Sequence, residues 1–314
     1  MITIPLVEVM GLTKSYKKKE VVHGIDFVVK EGEILCFLGP NGAGKSTTIN
    51  MLIGALRSDS GKILFNGKNI YEGLREYKKN LGIVPQDLAL YEDLSAEANV
   101  IFFASLYGLK GNTLRDGCRF ALEFCGLTDR AKDKVNSFSG GMKRRLNIAC
   151  AIAHRPTLLI MDEPTVGIDP QSRNHILEGV RQLQNEGMTI IYTTHYMEEV
   201  EEISSRIIIM DMGDIIAEGT KESLKSAIES ERHYHITITG ERLPNTDNLK
   251  KIKGVKDVEI QEQVIDVTTD KNLENLDLII SSLIEDGVVI SDLSTVTASL
   301  ETVFLAMTGR SLRD

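Results

Sequence analysis

One stretch of eight residues has the types and spacing of a loop that holds phosphate groups. It fits the pattern G-x-x-x-x-G-K-[ST], follows an apolar strand and opens a predicted helix. Its members are Gly39, Pro40, Asn41, Gly42, Ala43, Gly44, Lys45 and Ser46. Glycines let backbone N–H groups curl around phosphate oxygens, and the helix N-terminus adds a favourable dipole. We therefore predict a nucleotide-phosphate site that includes Thr47, with Lys45 on the outer phosphates and Ser46 as a ligand of Mg²⁺.

A second stretch supplies carboxylates at the end of an apolar strand. The strand Leu158–Met161 is followed directly by Asp162 and Glu163. In phosphoryl transfer, one such carboxylate holds Mg²⁺ through water and its neighbour polarises the attacking water. We assign these roles to Asp162 and Glu163 respectively. Acidic residues often end strands in turns, so the pair points to ATP hydrolysis only in combination with the phosphate loop.

Both motifs lie in a region of alternating strand and helix signals, which extends to about residue 220. The predicted strands are Leu6–Val9, Ile25–Val29, Ile34–Leu38, Lys62–Phe65, Leu81–Val84, Leu158–Met161, Thr189–Thr193 and Ile207–Met210. The predicted helices are Lys45–Leu56, Ala96–Tyr107, Thr113–Cys125, Gly141–Ala153 and Pro170–Asn185. The alternation predicts an α/β fold with a largely parallel sheet. Strand signals vanish over about residues 95–153, which predicts a helical insertion.

The remaining residues have a different pattern and predict a second, smaller domain. Residues Tyr234–Ile238 alternate between apolar and polar, as in a strand with one buried face. The order of signals is β-α-β-β-α-β followed by a helix, which is typical of a ferredoxin-like α+β domain. We place the boundary in the charged stretch Leu224–Arg232, so the predicted domains are 1–225 and 226–314.

Composition narrows the choice of partners. The chain has 314 residues and a formal net charge of −9. An acidic balance argues against nucleic acid as the main partner, because neutralising phosphates requires a basic surface. No stretch approaches the roughly 18 apolar residues of a spanning helix, and Met1–Pro5 does not begin a signal peptide. If the protein works at a membrane, we expect another chain to supply the spanning part.

A third motif resembles that of a known family. Ser139, Gly140, Gly141 and Met142, preceded by Phe138, resemble the signature sequence of ABC ATPases. Phe and Met stand where Leu and Gln are commonest. The motif precedes a predicted helix, so it is a second helix N-terminus suited to binding an anion. The resemblance covers the whole first domain and implies a P-loop NTPase core of ABC type with a helical insertion.

The resemblance implies roles for four further residues. Tyr16 resembles the aromatic residue that stacks on adenine. Gln86 resembles the glutamine between the core and helical subdomains, which contacts nucleotide and Mg²⁺. Asp169 lies in a stretch similar to the loop that communicates between two ATP sites. His195 resembles the switch histidine that contacts the γ-phosphate.

The family also implies a dimer. Two chains pair head to tail, and each ATP is sandwiched between the phosphate loop of one chain and the signature of the other. ATP then holds the pair closed until hydrolysis releases it. On this basis Lys45, Glu163 and His195 are predicted to be the catalytic residues, and the partner is a second copy or a paired ATPase subunit.

The C-terminal residues resemble one branch of the family. Ser299–Leu305, followed by Thr308–Arg310, is similar to the end of type-2 exporter ATPases, including the daunorubicin-resistance type. This implies an exporter ATPase at the cytoplasmic face of the cell membrane, with a separate transmembrane permease docked near Gln86 and Asp87–Ser95. An importer ATPase and a soluble ABC ATPase acting on ribosomes or DNA stay open as alternatives. One phosphate loop, one signature and no long coiled-coil insertion argue against the soluble type.

Several other patterns receive structural interpretations. We interpret Lys143–Arg145 as a solvated helix face, with a salt bridge from one of them near the nucleotide as the alternative, and Glu198–Glu202 as an exposed acidic helix. His233 and His235 share one face of a strand, but we find no further ligands for a metal. The cysteines form no C-x-x-C pair and are interpreted as buried thiols: Cys36, Cys118, Cys125 and Cys150.

Overall fold

The structure is a computed structural model that describes residues 5–17, 19–228, 231–240, 242–296 and 299–308. The chain forms two compact units, of which the first ends at Lys221 and the second begins at Glu222. Each unit has its own buried apolar core. The predicted features that fall on Met1–Ile4, on residues 229–230 and on Gly309–Arg310 lie outside the described residues.

A six-stranded sheet forms the centre of the first unit. The strands of this unit are β1 (Val7–Tyr16), β2 (Lys19–Val29), β3 (Ile34–Leu38), β4 (Ser60–Phe65), β5 (Lys68–Asn69), β6 (Leu81–Val84), β7 (Leu158–Asp162), β8 (Thr189–Thr194), β9 (Arg206–Asp211) and β10 (Asp214–Gly219). The central sheet has the order β10-β9-β3-β8-β7-β6. All of its neighbouring strands run parallel except β10, which is antiparallel to β9. Every residue of β3 and β8 is buried, as expected for a parallel sheet covered on both faces.

Three of the predicted strands, which correspond to β1, β2 and β4, do not belong to the parallel sheet. They form a separate antiparallel sheet with the order β2-β1-β4-β5. The reason is that only a short turn around Lys17 separates β1 from β2, and a parallel crossover needs a dozen or more residues. Phe27 of this sheet packs edge-on against Phe37 of the central sheet, with ring centroids 5.2 Å apart. The two sheets therefore share one core.

Helices cover the sheets and form the insertion. They are α1 (Lys45–Leu52), α2 (Leu74–Lys79), α3 (Ala96–Leu106), α4 (Gly111–Phe124), α5 (Gly140–Ile152), α6 (Pro170–Asn185) and α7 (Met197–Ile203). The next helix, α8 (Lys221–Ile228), begins at the boundary and belongs to the second unit. The bounds of α3, α4 and α5 agree with the predicted helices to within two residues. In contrast, α1 ends four residues earlier than predicted, because Gly54 has a φ of 64° and terminates the helix.

The second unit has the predicted order of elements. Its strands and helices are β11 (Glu231–Thr239), α9 (Thr246–Lys251), β12 (Val255–Gln261), β13 (Val264–Asp270), α10 (Leu276–Glu285), β14 (Val289–Val296) and α11 (Leu300–Thr308). The sheet order is β12-β13-β11-β14, and every neighbouring pair is antiparallel. Tyr234, Ile236 and Ile238 of β11 are buried in one cluster with Leu249 of α9 and Ile279 of α10.

The structure also bears on membranes, thiols and metals. Among the described residues, no helix is long and apolar enough to cross a membrane. All four cysteines are buried and free, and burial raises the pKa of the Cys118 thiol to about 11. His235 Nδ1 lies 2.7 Å from Asp266 Oδ1, and His233 Nδ1 lies 3.1 Å from Thr268 Oγ1. No group of three or more His, Cys, Asp or Glu side chains is placed to hold a metal in the described ranges.

We propose that the two units fold independently, which places the domain boundary close to the predicted one. A chain of residues 1–230 should unfold in one cooperative transition and bind ATP within roughly threefold of the full-length affinity. The reason is that the apolar cluster shared by the two sheets of the first unit contains, among the described residues, none beyond Ile215. Circular dichroism and titration calorimetry would measure this. An insoluble fragment that does not bind ATP would contradict the proposal.

Candidate active site

The phosphate loop, residues 39–46, connects β3 to α1 at the carboxyl edge of the central sheet. Gly42 and Gly44 have φ values of 82° and 104°, which other residues rarely adopt. A Cβ on Gly39 would lie 2.3 Å from the carbonyl oxygen of Met210, so the loop packs directly against β9. Gly44 caps α1 without a side chain, and this leaves the first-turn N–H groups for a ligand. Within the loop, Pro40 and Ala43 are buried, whereas Asn41, Gly42 and Ser46 are exposed.

Lys45 is buried beneath this loop. Its Nζ donates hydrogen bonds to the carbonyl oxygens of Gly39, at 2.6 Å, and Pro40, at 3.1 Å. It also lies 3.5 Å from Glu163 Oε1, and the two side chains are only 4% and 7% exposed. Burial lowers the pKa of the Lys45 ammonium, and the charge of Glu163 opposes that change. The buried ammonium group of Lys45 therefore links the phosphate loop to the carboxylate of Glu163.

Asp162 ends β7 beside the start of α1. Ser46 Oγ lies 3.5 Å from Asp162 Oδ1, and Thr193 Oγ1 donates to the same oxygen at 2.6 Å. The Thr193 hydroxyl also accepts a hydrogen bond of 3.0 Å from the backbone N–H of Glu163. One buried hydroxyl thus fixes both acidic residues. The sequence motifs do not include Thr193. Only the register of β7 and β8, which pairs Thr193 with Asp162, could have indicated its place in the site.

Glu163 and His195 face each other. Glu163 has a φ of 45°, which is unusual for a residue with a side chain and stores backbone strain. Its Oε2 lies 3.3 Å from His195 Nδ1, and the two atoms do not form a hydrogen bond. The His195 ring contacts Tyr196, with ring centroids 4.2 Å apart. Lys45, Glu163 and His195 are therefore brought together at the edge of the sheet.

Three other predicted residues form no hydrogen bond with the side chains of this cluster in the described part of the chain. Tyr16 ends β1 and is 48% exposed. Gln86 follows β6 by two residues and is exposed, while Thr47 is half-buried in α1. Within the described residues, the side chains of Tyr16 and Gln86 form no hydrogen bond with the phosphate loop.

The signature motif lies at the start of α5. Ser139 caps the helix, and its Oγ accepts a hydrogen bond of 3.3 Å from the backbone N–H of Met142. Ser139 and Gly140 are exposed. A Cβ on Gly141 would lie 2.1 Å from Ser172 Oγ, so only glycine fits where α5 meets α6. No hydrogen bond links the signature to the phosphate loop in the described part of the chain.

Asp169 caps α6 next to the signature. Its Oδ1 accepts a hydrogen bond of 2.9 Å from Ser172 N–H, and its Oδ2 accepts one of 2.8 Å from Ser172 Oγ. These hydrogen bonds lower the pKa of the Asp169 carboxyl. Because Ser172 contacts both Asp169 and Gly141, the stretch after Glu163 and the signature lie side by side.

Two residues interpreted as solvated are buried, so that interpretation is wrong for them. Arg144 is 5% exposed and donates to the carbonyl oxygens of Pro85, at 2.9 Å, and Gln86, at 2.8 Å. Glu199 is fully buried and accepts hydrogen bonds from three hydroxyl groups. A run of like charges does not reveal which member of a helix turns inward, because that depends on the packing of distant elements.

Known proteins share this architecture. Residues 22–166 match the family model described as ABC transporter. A linearmycin resistance ATP-binding protein of Bacillus subtilis is 44% identical, over 98% of this chain and all of that protein. A daunorubicin resistance ATP-binding protein of Streptomyces coeruleorubidus is 32% identical, over 98% and 97%. A Nod factor export ATP-binding protein of Rhizobium is 40% identical, over 69% and 72%.

A solved structure is similar to the first unit. It is the dimeric post-hydrolysis state of the ATP-binding cassette MJ0796 with ADP and Pi. The TM-score is 0.62 and the identity 25%, covering 68% of this chain and 98% of the other.

Fold, site and relatives together define an ATP-hydrolysing P-loop protein. The chain belongs to the ABC transporter ATP-binding proteins, as the signature motif predicted. It is an ABC ATPase that binds and hydrolyses ATP, and it is the ATP-binding subunit of an exporter. The similarity to the daunorubicin-resistance type confirms the predicted branch, so the importer and soluble alternatives are set aside.

Proposed function

We propose that the chain powers export through a separate transmembrane permease at the cytoplasmic face of the membrane, as one half of an ATP-dependent, head-to-tail dimer. The observation that carries this proposal is that Asp162, Glu163 and His195 lie together beside Lys45 and Ser46 of the phosphate loop. Two of the relatives are named for resistance to linearmycin or daunorubicin, which supports a toxic compound as cargo.

The residues present fit a magnesium ion. Mg²⁺ takes oxygen ligands and is usually held by one or two protein groups together with substrate phosphates. Ser46 Oγ and Asp162 Oδ1 are oxygen atoms 3.5 Å apart beside the loop, and Gln86 would add an amide oxygen. Bound there, Mg²⁺ would neutralise charge on the phosphates of ATP.

Residues of the chain itself perform the remaining steps of ATP binding and hydrolysis. The loop N–H groups and Lys45 hold the phosphates, and Tyr16 stacks on adenine. Glu163 orients water for attack on the γ-phosphate and accepts its proton. His195 contacts the γ-phosphate. It also lies beside Glu163 Oε2, whereas Lys45 lies beside the other carboxylate oxygen, Oε1.

Replacing Glu163 by Gln tests the hydrolytic role. Glu163→Gln should lower ATP turnover at least about 100-fold, because an amide cannot accept the proton of the attacking water. ATP affinity should stay within roughly threefold of wild type, since the phosphate-binding loop is intact. The matched control is Glu198→Gln, at an exposed position of α7. Wild-type turnover in Glu163→Gln would remove Glu163 from this role.

The placement of the signature supports the proposed dimer. Ser139 and Gly140 are exposed at the N-terminus of α5, a helix end suited to anions. Their own chain's phosphate loop lies on a different element. A second copy in head-to-tail orientation would bring each signature to the ATP on the partner's loop, and Asp169, beside Gly141, would link the two sites. The solved structure of a similar cassette is dimeric, which supports pairing of two chains.

The signature can be tested by blocking it. Ser139→Arg should abolish turnover while ATP binding persists, because the large side chain obstructs only the partner's nucleotide. Loss of the helix cap would cost about 1 kcal/mol, so thermal unfolding should be recorded alongside. Ser137→Arg, two residues earlier and also exposed, should hydrolyse ATP normally. Full activity of Ser139→Arg would exclude the sandwich.

A groove beside Ile83 of β6 is the proposed docking site for the permease. It has a volume of about 840 Å³ and lies between α2 and α3, with the apolar residues Leu74, Phe103 and Leu106 on its walls. Leu106 is 67% exposed. The groove adjoins the segment Asp87–Ser95, because Tyr91 packs against the rings of α3. Its basic rim contains Arg75, Lys78 and Lys79. We propose that its occupant is a short amphipathic helix of the permease with acidic flanks.

An acidic residue in this groove should uncouple the two proteins. Leu106→Asp, coexpressed with the membrane subunit, should lower the amount of the chain held on membrane vesicles about tenfold or more. Its ATP affinity should stay unchanged. Met212→Asp is a matched control, because Met212 is 66% exposed on the β9–β10 turn. Equal retention of both variants would contradict docking in the groove.

The second unit is proposed to be a ferredoxin-like domain. The support is the order β-α-β-β-α-β, with a fully antiparallel sheet in which β11 and β13 are central.

A further inference from the structure

Glu199 is a buried carboxylate on α7, four residues after His195. In the described ranges it has no ion pair with a lysine, arginine or histidine. Burying a carboxylate is costly unless its oxygens are hydrogen-bonded. The neighbouring buried residues of α7, Val200 and Ile203, are apolar, and an apolar residue at position 199 would serve packing equally well. Packing alone therefore does not explain why a carboxylate is buried at this position.

Three hydroxyl groups satisfy this carboxylate. Thr165 Oγ1 donates to Glu199 Oε1 at 2.5 Å. Tyr192 OH and Thr194 Oγ1 both donate to Oε2 at 2.9 Å. All three donors are buried, with exposures between 0% and 3%. Hydrogen bonds to an ionised acceptor are short and strong, so the carboxylate holds its donors firmly.

Two of these donors lie next to the proposed catalytic pair. Thr165 follows Glu163 by two residues, and Thr194 directly precedes His195. Thr194 Oγ1 also accepts a hydrogen bond of 2.9 Å from the backbone N–H of Tyr196, so it fixes both sides of His195. Glu163 has a φ of 45°, and such a conformation persists only when its surroundings hold it.

We infer that Glu199 is a positioning residue for ATP hydrolysis. Its carboxylate ties the segment after Glu163 to the segment before His195, and thereby keeps the two side chains in contact. It is 0% exposed and acts through Thr165 and Thr194. The inference rests on the roles proposed for Glu163 and His195, and it adds a residue that the sequence motifs place outside the site.

The test removes the carboxylate charge and then each relevant hydroxyl in the full-length chain. Glu199→Gln keeps the size of the side chain but cannot accept all three hydrogen bonds. Thr165→Val and Thr194→Val each remove one donor. Each variant should lower kcat about tenfold, with the KM for ATP within roughly twofold, because phosphate binding is intact. Thr165→Ser and Thr194→Ser, which restore the hydroxyl, should recover wild-type kcat.

Two controls separate positioning from stability. Glu198→Gln changes the exposed neighbour on the same helix and should leave kcat and the melting temperature unchanged. Tyr192→Phe removes a hydrogen bond to the same carboxylate from a residue further inside β8. It should lower the melting temperature about as much as Thr194→Val while keeping kcat within roughly twofold of wild type.

The outcomes are decisive. Wild-type kcat in Thr165→Val and Thr194→Val overturns the inference, as does a kcat loss in Tyr192→Phe equal to theirs at the same melting temperature. If Glu199→Gln does not fold, the threonine variants decide alone. Glu163→Gln is measured in parallel. If that variant turns over normally, the proposed function fails; if it is inactive while the threonine variants are unaffected, only the inference fails.

Discussion

The buried contact between Lys45 and Glu163 is the interaction on which the site depends. A lysine beneath a glycine loop must be compensated, and here it is held by two loop carbonyls and one carboxylate. That requirement brings the end of β7 against the start of α1. The parallel register of β7 with β8 then brings Thr193 to Asp162 and His195 to Glu163. The ion pair between Lys45 and Glu163 thus accompanies the meeting of the ends of β3, β7 and β8 in a single site.

The sequence was informative where chemistry is local. The phosphate loop, the carboxylates after β7 and the signature are contiguous motifs, and each needs only its own strand or helix to take shape. The helices of the insertion were predictable for the same reason, since their caps and apolar spacing are local. The family comparisons agree with the motifs. Residues that contact each other from elements far apart in the chain, by contrast, leave no contiguous pattern in the sequence.

The failures follow from that difference. The separate antiparallel sheet of β1, β2 and β4 was not predicted, because alternation does not specify which strands pair. Arg144 and Glu199 were taken as solvated because charge indicates exposure on average, whereas their burial depends on hydrogen-bond partners 58 and 34 residues away. Thr193 belongs to no motif, and only strand register puts its hydroxyl between two acidic residues.

Arg144 has a consequence for movement within the first unit. Its guanidinium extends from the helix that carries the signature and donates to the carbonyls of Pro85 and Gln86. A helix tethered in this way cannot tilt alone without leaving buried donors and acceptors unpaired, which costs on the order of 1–3 kcal/mol for each. Displacement of the signature end would therefore pull on the strand end beside the groove. Arg144 therefore couples the position of the helix that carries the signature to the segment that follows β6.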